Sequence, residues 1–242
     1  MKNIGLIFAG GTGTRLNSRS LPKQFLVMGG KPVIIHTLEY FESCPLIDSV
    51  CVVCLEEKIG YLKQLLERFG ITKVNIIVPG GATGQDSIYN GLDAAIRRDD
   101  SPEDTVVLIH DGVRPLISVK TIEDCIACAR ENGNAVTVTR AYETIMTKGG
   151  DGTITGLIDR TNSLLVRAPQ AYFLSDIYAA HQRARAEGYT GAIDSATLMN
   201  HYGCALHPVD GPAENIKITT ASDYFMARSI LDARENSQLF DL

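Results

Sequence analysis

Tryptophan is absent, and no apolar run reaches the roughly 18 residues that a membrane-crossing helix needs. The apolar stretch from Ile4 to Ala9 is also shorter than a signal-peptide core of about 7–15 residues, so a cytoplasmic protein with no membrane association is expected. Positive charge is in short supply: 23 Lys and Arg stand against 28 Asp and Glu, for a formal net charge of -5. That balance argues against a general nucleic-acid surface while leaving room for a local basic pocket. Repeats, low-complexity tracts and linkers are missing as well. With 45% hydrophobic and 21% charged residues, the composition is that of an ordinary globular protein with a sizeable core. One domain over residues 1–242 is expected.

Six cysteines are present, including the pairs Cys51/Cys54 and Cys125/Cys128. Zinc has to be weighed against such spacings. Cys51-Val-Val-Cys54 lies in a β-branched strand pattern, where residues three apart face opposite sides of a sheet and cannot share one metal. Cys125-Ile-Ala-Cys128 lies in a helical pattern with Ile122, Ile126 and Ala129, which packs both thiols on the sheet. Reduced core cysteines are therefore expected throughout.

Short apolar segments alternate with longer ones of helical period. The strands are read at Ile4–Ala9, Val50–Leu55, Val74–Val78, Val106–Ile109 and Ala135–Thr139, several of them continuously apolar, as in strands buried on both faces. Such alternation predicts an α/β fold with a mostly parallel, Rossmann-like sheet flanked by helices, and ligands at the carboxyl ends of the strands. After Arg140 the pattern changes. Glu143–Lys148, the turn Gly149-Gly150-Asp151-Gly152 and Thr153–Ile158 read as a projecting β-arm over about 141–160. Helices follow around Leu174–Ala186, Ser195–Tyr202 and Ser222–Ala233, with a strand near Ala205–Val209.

The first strand runs into Ala9-Gly10-Gly11-Thr12-Gly13-Thr14-Arg15-Leu16, followed by Leu21-Pro22-Lys23-Gln24-Phe25. Three glycines in four positions let backbone N–H groups approach phosphate oxygens. A plain tight turn uses the same residues. A dinucleotide fingerprint needs different spacing and a Walker A loop needs a following Gly-Lys-Ser/Thr, and neither is met here. Two cations, Arg15 and Lys23, beside one glycine loop suit a triphosphate. His110-Asp111-Gly112-Val113-Arg114-Pro115 follows another strand at the same sheet edge. There Asp111 is suited to a hydroxyl or a metal, and Arg114 to a phosphate. An ion pair that only braces the loop is the plainer alternative.

With these motifs on view, the chain resembles the GT-A-like nucleotidyltransferases. Within them it is most similar to the cytidylyltransferases that couple CTP to a polyol phosphate. The resemblance spans nearly the whole chain, through Pro22–Leu26, His36-Thr37-Leu38, Gly80-Gly81 with Ser87–Leu92, His110–Pro115, Ala168-Pro169-Gln170 and Asn215–Thr219. It implies cytidylyl transfer with release of pyrophosphate, magnesium dependence and a homodimer built through the arm. By the same resemblance, Arg15, Lys23 and Lys217 are the catalytic cations. Ala9, Gly10, Gly11, Thr12, Gly13, Gly80, Gly81, Ala82 and Ser87 bind the nucleotide. The polyol phosphate falls to Asp111, Gly112, Arg114, Thr144 and Arg160, the last two reaching the partner subunit's substrate. Asp111 is also the candidate metal ligand.

Departures from the family pattern bear on specificity. Gly84 stands where the methylerythritol enzymes commonly have an arginine, which leaves base recognition to backbone and Ser87. Val113 and the six residues between Arg15 and Pro22 lean toward the ribitol enzymes. Ala168 and Ile193 replace threonines common to both. Alternatives are the methylerythritol phosphate reaction, a sugar-1-phosphate nucleotidyltransferase and a nucleotide-binding regulatory protein without turnover.

Overall fold

The computed structural model describes residues 1–11 and 21–240, with side chains as far as Asn236. In chain order the elements are β1 (Asn3–Ala9), β2 (Val27–Met28), β3 (Lys31–Pro32), α1 (Val33–Ser43), β4 (Ser49–Cys54), α2 (Ile59–Arg68), β5 (Val74–Pro79), α3 (Gly84–Ile96) and β6 (Val106–Asp111). They continue as α4 (Val119–Asn132), β7 (Asn134–Arg140), β8 (Ile145–Lys148), β9 (Ile154–Ile158), β10 (Leu164–Phe173), α5 (Leu174–Glu187), α6 (Ser195–His201), β11 (Pro208–Asp210) and α7 (Ala221–Phe240). A seven-stranded sheet runs in the order β11-β7-β10-β6-β1-β4-β5. β10 alone is antiparallel to its neighbours.

Alternation along the central strands divides the core. In β1, Ile4 and Leu6 face one side while Ile7 and Ala9 face the other. The first side packs on α3, α5 and α6 through Leu92, Ile177 and Leu198. The second packs on α1, α2 and α4 through Leu38, Leu62 and Ile122. Cys51 donates toward the Gly91 carbonyl of α3, whereas Cys54 lies in the opposite core, so these two thiols do face opposite sides of the sheet. All six cysteines are free. Cys128 and Cys204 depart from the reading of buried thiols, being only half-buried.

Helix boundaries follow local chemistry. Ser118 Oγ accepts from Thr121 N at 3.1 Å to open α4, and Gly133, at φ 88°, closes it. Thr83 caps α3 in the same way.

Strand order sets the position of the site. From β1 the sheet grows in one direction through β4 and β5, and the chain then crosses back to lay β6 on β1's other side. The crevice where the order reverses lies at the carboxyl ends of β1 and β6. β10 also reaches this edge, because its amino-terminal half pairs with the end of β7: Val166 lies opposite Val138 and Leu164 opposite Arg140. Between Val166 and Gln170 the register shifts in a bulge.

Sequence periodicity does not disclose β10, since Arg167 and Pro169 interrupt its apolar run. The bulge is what accommodates a proline inside a sheet. The arm is present as the β8–β9 hairpin, a two-stranded sheet that pairs only with itself.

Candidate active site

Two glycine turns meet at the sheet edge. A Cβ on Gly10 would sit 3.3 Å from the Gly80 Cα and 3.3 Å from Ser87 Oγ, and one on Gly80 would meet the Gly10 Cα at 3.3 Å. The loops after β1 and β5 pass this close because neither residue carries a side chain. Gly81 is more confined still, with its Cβ direction only 2.4 Å from the Asp86 Cβ. Ser87 locks the second loop: its Oγ accepts from Gly81 N at 3.0 Å and donates to the Thr83 carbonyl at 2.9 Å. Gln24 locks the first. Its buried amide donates to the Ala9 carbonyl at 2.6 Å and to the Gly11 carbonyl at 3.2 Å. Thr12, Gly13 and Arg15 lie outside the described residues.

Below these loops a cavity of about 350 Å³ opens between the ends of β1 and β6, the β10 bulge and the start of α6. Asp111 is its electrostatic centre. One carboxylate oxygen accepts from Arg114 Nε at 2.7 Å and the other pairs with Lys217 Nζ at 2.5 Å. Burial alone would raise this carboxyl, but the two cations overcome it and hold the group at about 2, ionised at any ordinary pH. Arg114 also donates to the Asn215 carbonyl at 2.9 Å, and Asn215 Nδ2 donates to the Ala168 carbonyl at 2.7 Å. The segment carrying Lys217 is thereby tied to the bulge. Lys23 Nζ donates to the Ile218 carbonyl at 3.0 Å, next in sequence to Lys217.

His110 is fully buried, with Nε2 3.3 Å from the Arg114 carbonyl. Burial outweighs the nearby Asp111 and pushes it down to about 4. It is neutral, and nothing here makes it a base.

The structure therefore brings Asp111, Arg114 and Lys217 to one cavity wall and Lys23 to the adjoining segment, and it sets Gly10, Gly80, Gly81 and Ser87 together at the sheet edge, with the Gly11 carbonyl held by Gln24. Ala9 is buried at the strand end, Gly112 packs on it, and Ala82 is exposed in the second turn. Thr144 and Arg160 are elsewhere in the same chain. Arg160 donates to the Tyr142 carbonyl at 3.0 Å and lines a separate groove at the arm's base.

Sequence reasoning missed Gln24, Asn215 and Gln170. All three sit inside motifs quoted above, but a side-chain amide that braces backbone leaves no spacing signature. Gln170 holds the start of α6, accepting from Ala196 N at 2.8 Å and donating to Asp194 at 3.1 Å.

The donor set does not fit a protein-held metal. Both Asp111 oxygens are committed to cations, and among the described residues no three His, Cys, Asp or Glu side chains form a metal cluster.

Glycine loops for phosphate, a cation–carboxylate cluster and a switch-point cavity define a nucleotidyltransferase-type α/β protein. Comparisons with known proteins narrow the class. The profile of the IspD family, 2-C-methyl-D-erythritol 4-phosphate cytidylyltransferase, matches residues 4–233, and the chain belongs to this family. The chain is 48% identical over 242 residues, all of both chains, to the ribitol-5-phosphate cytidylyltransferase of Streptococcus agalactiae serotype V (strain ATCC BAA-611 / 2603 V/R). It is 40% identical over 232 residues, 96% of this chain and 97% of the other, to the 2-C-methyl-D-erythritol 4-phosphate cytidylyltransferase of Geotalea uraniireducens (strain Rf4). The crystal structure of 4-diphosphocytidyl-2C-methyl-D-erythritolsynthase from Anaerococcus prevotii DSM 20548 superposes with a TM-score of 0.82 at 27% identity, covering 96% of each chain.

Proposed function

We propose that this protein transfers CMP from CTP to ribitol 5-phosphate, forming CDP-ribitol and pyrophosphate. The observation that carries this reading is the full-length 48% identity to a ribitol-5-phosphate enzyme, against 40% for a methylerythritol enzyme. An oxygen of the acceptor phosphate attacks the α-phosphorus of CTP, the bond from that phosphorus to the bridging oxygen breaks, and pyrophosphate leaves. The attacking phosphate is already ionised, so no general base is needed, in keeping with a neutral His110. Catalysis then rests on alignment and on charge stabilisation by Arg15, Lys23 and Lys217, while Asp111 and Arg114 hold the acceptor. Ser87 acts indirectly, by shaping the Gly80–Gly81 backbone that faces the base.

Magnesium belongs to this reading as a companion of the nucleotide. Mg²⁺ keeps several waters and takes substrate phosphates as ligands, which does not require the Asp111 oxygens. A homodimer is likewise proposed, with the arm carrying Thr144 and Arg160 to the partner's substrate. The exposed Met146, Ile154 and Leu157 on a hairpin too small to bury them support that assembly. Cytoplasmic residence accords with a structure in which no described helix is long and apolar enough to cross a membrane.

Incubation with CTP, magnesium and a panel of polyol phosphates, read by pyrophosphate release, tests the reading. Turnover of ribitol 5-phosphate is expected. Turnover only of a sugar 1-phosphate, or nucleotide binding without turnover, overturns it.

A further inference from the structure

Three cations line the central cavity, Arg114, Arg167 and Lys217, against two carboxylates, Asp111 and Asp194. Both carboxylates are committed. Asp111 is shared between Arg114 and Lys217, and Asp194 caps α6, accepting from Thr197 N at 2.8 Å and from Gln170 Nε2 at 3.1 Å. Arg167 has no carboxylate partner among the described residues, and its buried Nε makes no hydrogen bond. A desolvated guanidinium N–H without an acceptor is costly, and such groups in native structures commonly mark the place of a ligand. Its backbone position is also specific: Arg167 lies in the β10 bulge, a device that re-aims a side chain beside an active site.

We propose that Arg167 is a substrate-binding residue that holds the acceptor's phosphate group together with Arg114. This rests on the reading that the cavity takes a polyol phosphate. A phosphate monoester has three terminal oxygens, one of which must stay free to attack the α-phosphorus. Two guanidiniums on one wall can hold the other two through charge-assisted N–H donors, leaving the third pointed at the nucleotide. Burial, and then the neighbouring Arg114, push Arg167 below the ordinary guanidinium value, as befits a cation awaiting an anion. The acceptor is the assigned anion because Arg167 lines the same cavity as Asp111 and Arg114, and the Gly10 and Gly80 turns are not part of that lining.

Arg167→Gln and Arg167→Lys decide this, measured by steady-state kinetics and by calorimetric titration of ribitol 5-phosphate, ribitol and inorganic phosphate. For Arg167→Gln, the KM and Kd for ribitol 5-phosphate should rise roughly 10- to 100-fold, the scale of one lost charge-assisted contact. The KM for CTP should stay within about twofold, and Arg167→Lys should recover part of the loss. An unchanged Kd for ribitol 5-phosphate overturns the proposal, as does a rise confined to the KM for CTP. If the wild type neither binds nor converts ribitol 5-phosphate, the functional reading fails, and the phosphate titration still judges Arg167. Weaker phosphate binding by Arg167→Gln than by wild type then sustains the anion site, and equal binding removes it.

Discussion

Asp111 is nearly inaccessible, and its charge is sustained by Arg114 and Lys217. Asp111→Asn leaves two cations around a neutral amide and should destabilise the fold by about 3–5 kcal/mol, the usual cost of breaking a buried pair, measured by urea denaturation. Lys23→Ala should lower kcat roughly 10²- to 10³-fold, on the scale of one removed donor to transition-state charge, with folding intact. Wild-type turnover by folded Lys23→Ala at saturating CTP contradicts the triphosphate role. His181 gives a pH test independent of catalysis. It is buried with both ring nitrogens unpartnered, and burial, assisted by Arg185, pushes it down to about 4. In the unfolded chain it takes a proton near pH 6.5, so between about 6.5 and 4 the unfolded state binds more protons and stability is lost as the pH is lowered through that window. His181→Gln should remove up to about 1.4 kcal/mol per pH unit of that slope, seen in urea midpoints at pH 7 and pH 5. An unaltered slope contradicts a neutral buried His181. At this scale Lys23, Asp111, Arg114 and Lys217 were legible from motifs, whereas Arg167, outside every motif, was not. The amides Gln24 and Asn215 were not, because their partners are backbone carbonyls that only the fold brings near.

Elements built on uninterrupted apolar runs, such as β1 and β6, could be read from sequence within a residue or two. β10 was hidden by its own function: Arg167 and Pro169 break the pattern of a strand because the strand bulges there, and the bulge aims residues at the cavity. Its antiparallel direction was equally invisible, since that depends on the arm returning the chain to the same sheet edge. The glycine turns were legible as turns, while their mutual contact depends on the loops after β1 and β5 converging past the intervening β4. Gly81→Ala forces a methyl group onto Asp86 in the first turn of α3. Overpacking of about 1–3 kcal/mol should displace the loop and raise the KM for CTP roughly tenfold, with the acceptor KM unchanged. A variant with the wild-type KM for CTP dissociates this loop from nucleotide binding.

At the scale of the whole molecule, the central cavity and the arm are separate within one chain, and the dimer is what would unite them. Sedimentation in the active concentration range should show a dimer. A mixture of Arg15→Ala and Arg160→Ala chains should regain activity that neither has alone, since half the sites in a mixed dimer carry no lesion if Arg160 acts across subunits. A monomer, or a mixture no better than its parts, contradicts the shared site. The acceptor remains the central question, and one competition assay meets it directly. Equal ribitol 5-phosphate and 2-C-methyl-D-erythritol 4-phosphate are offered with CTP and magnesium, and the two CDP products are separated and counted. CDP-ribitol should dominate; exclusive formation of the methylerythritol product would contradict the account.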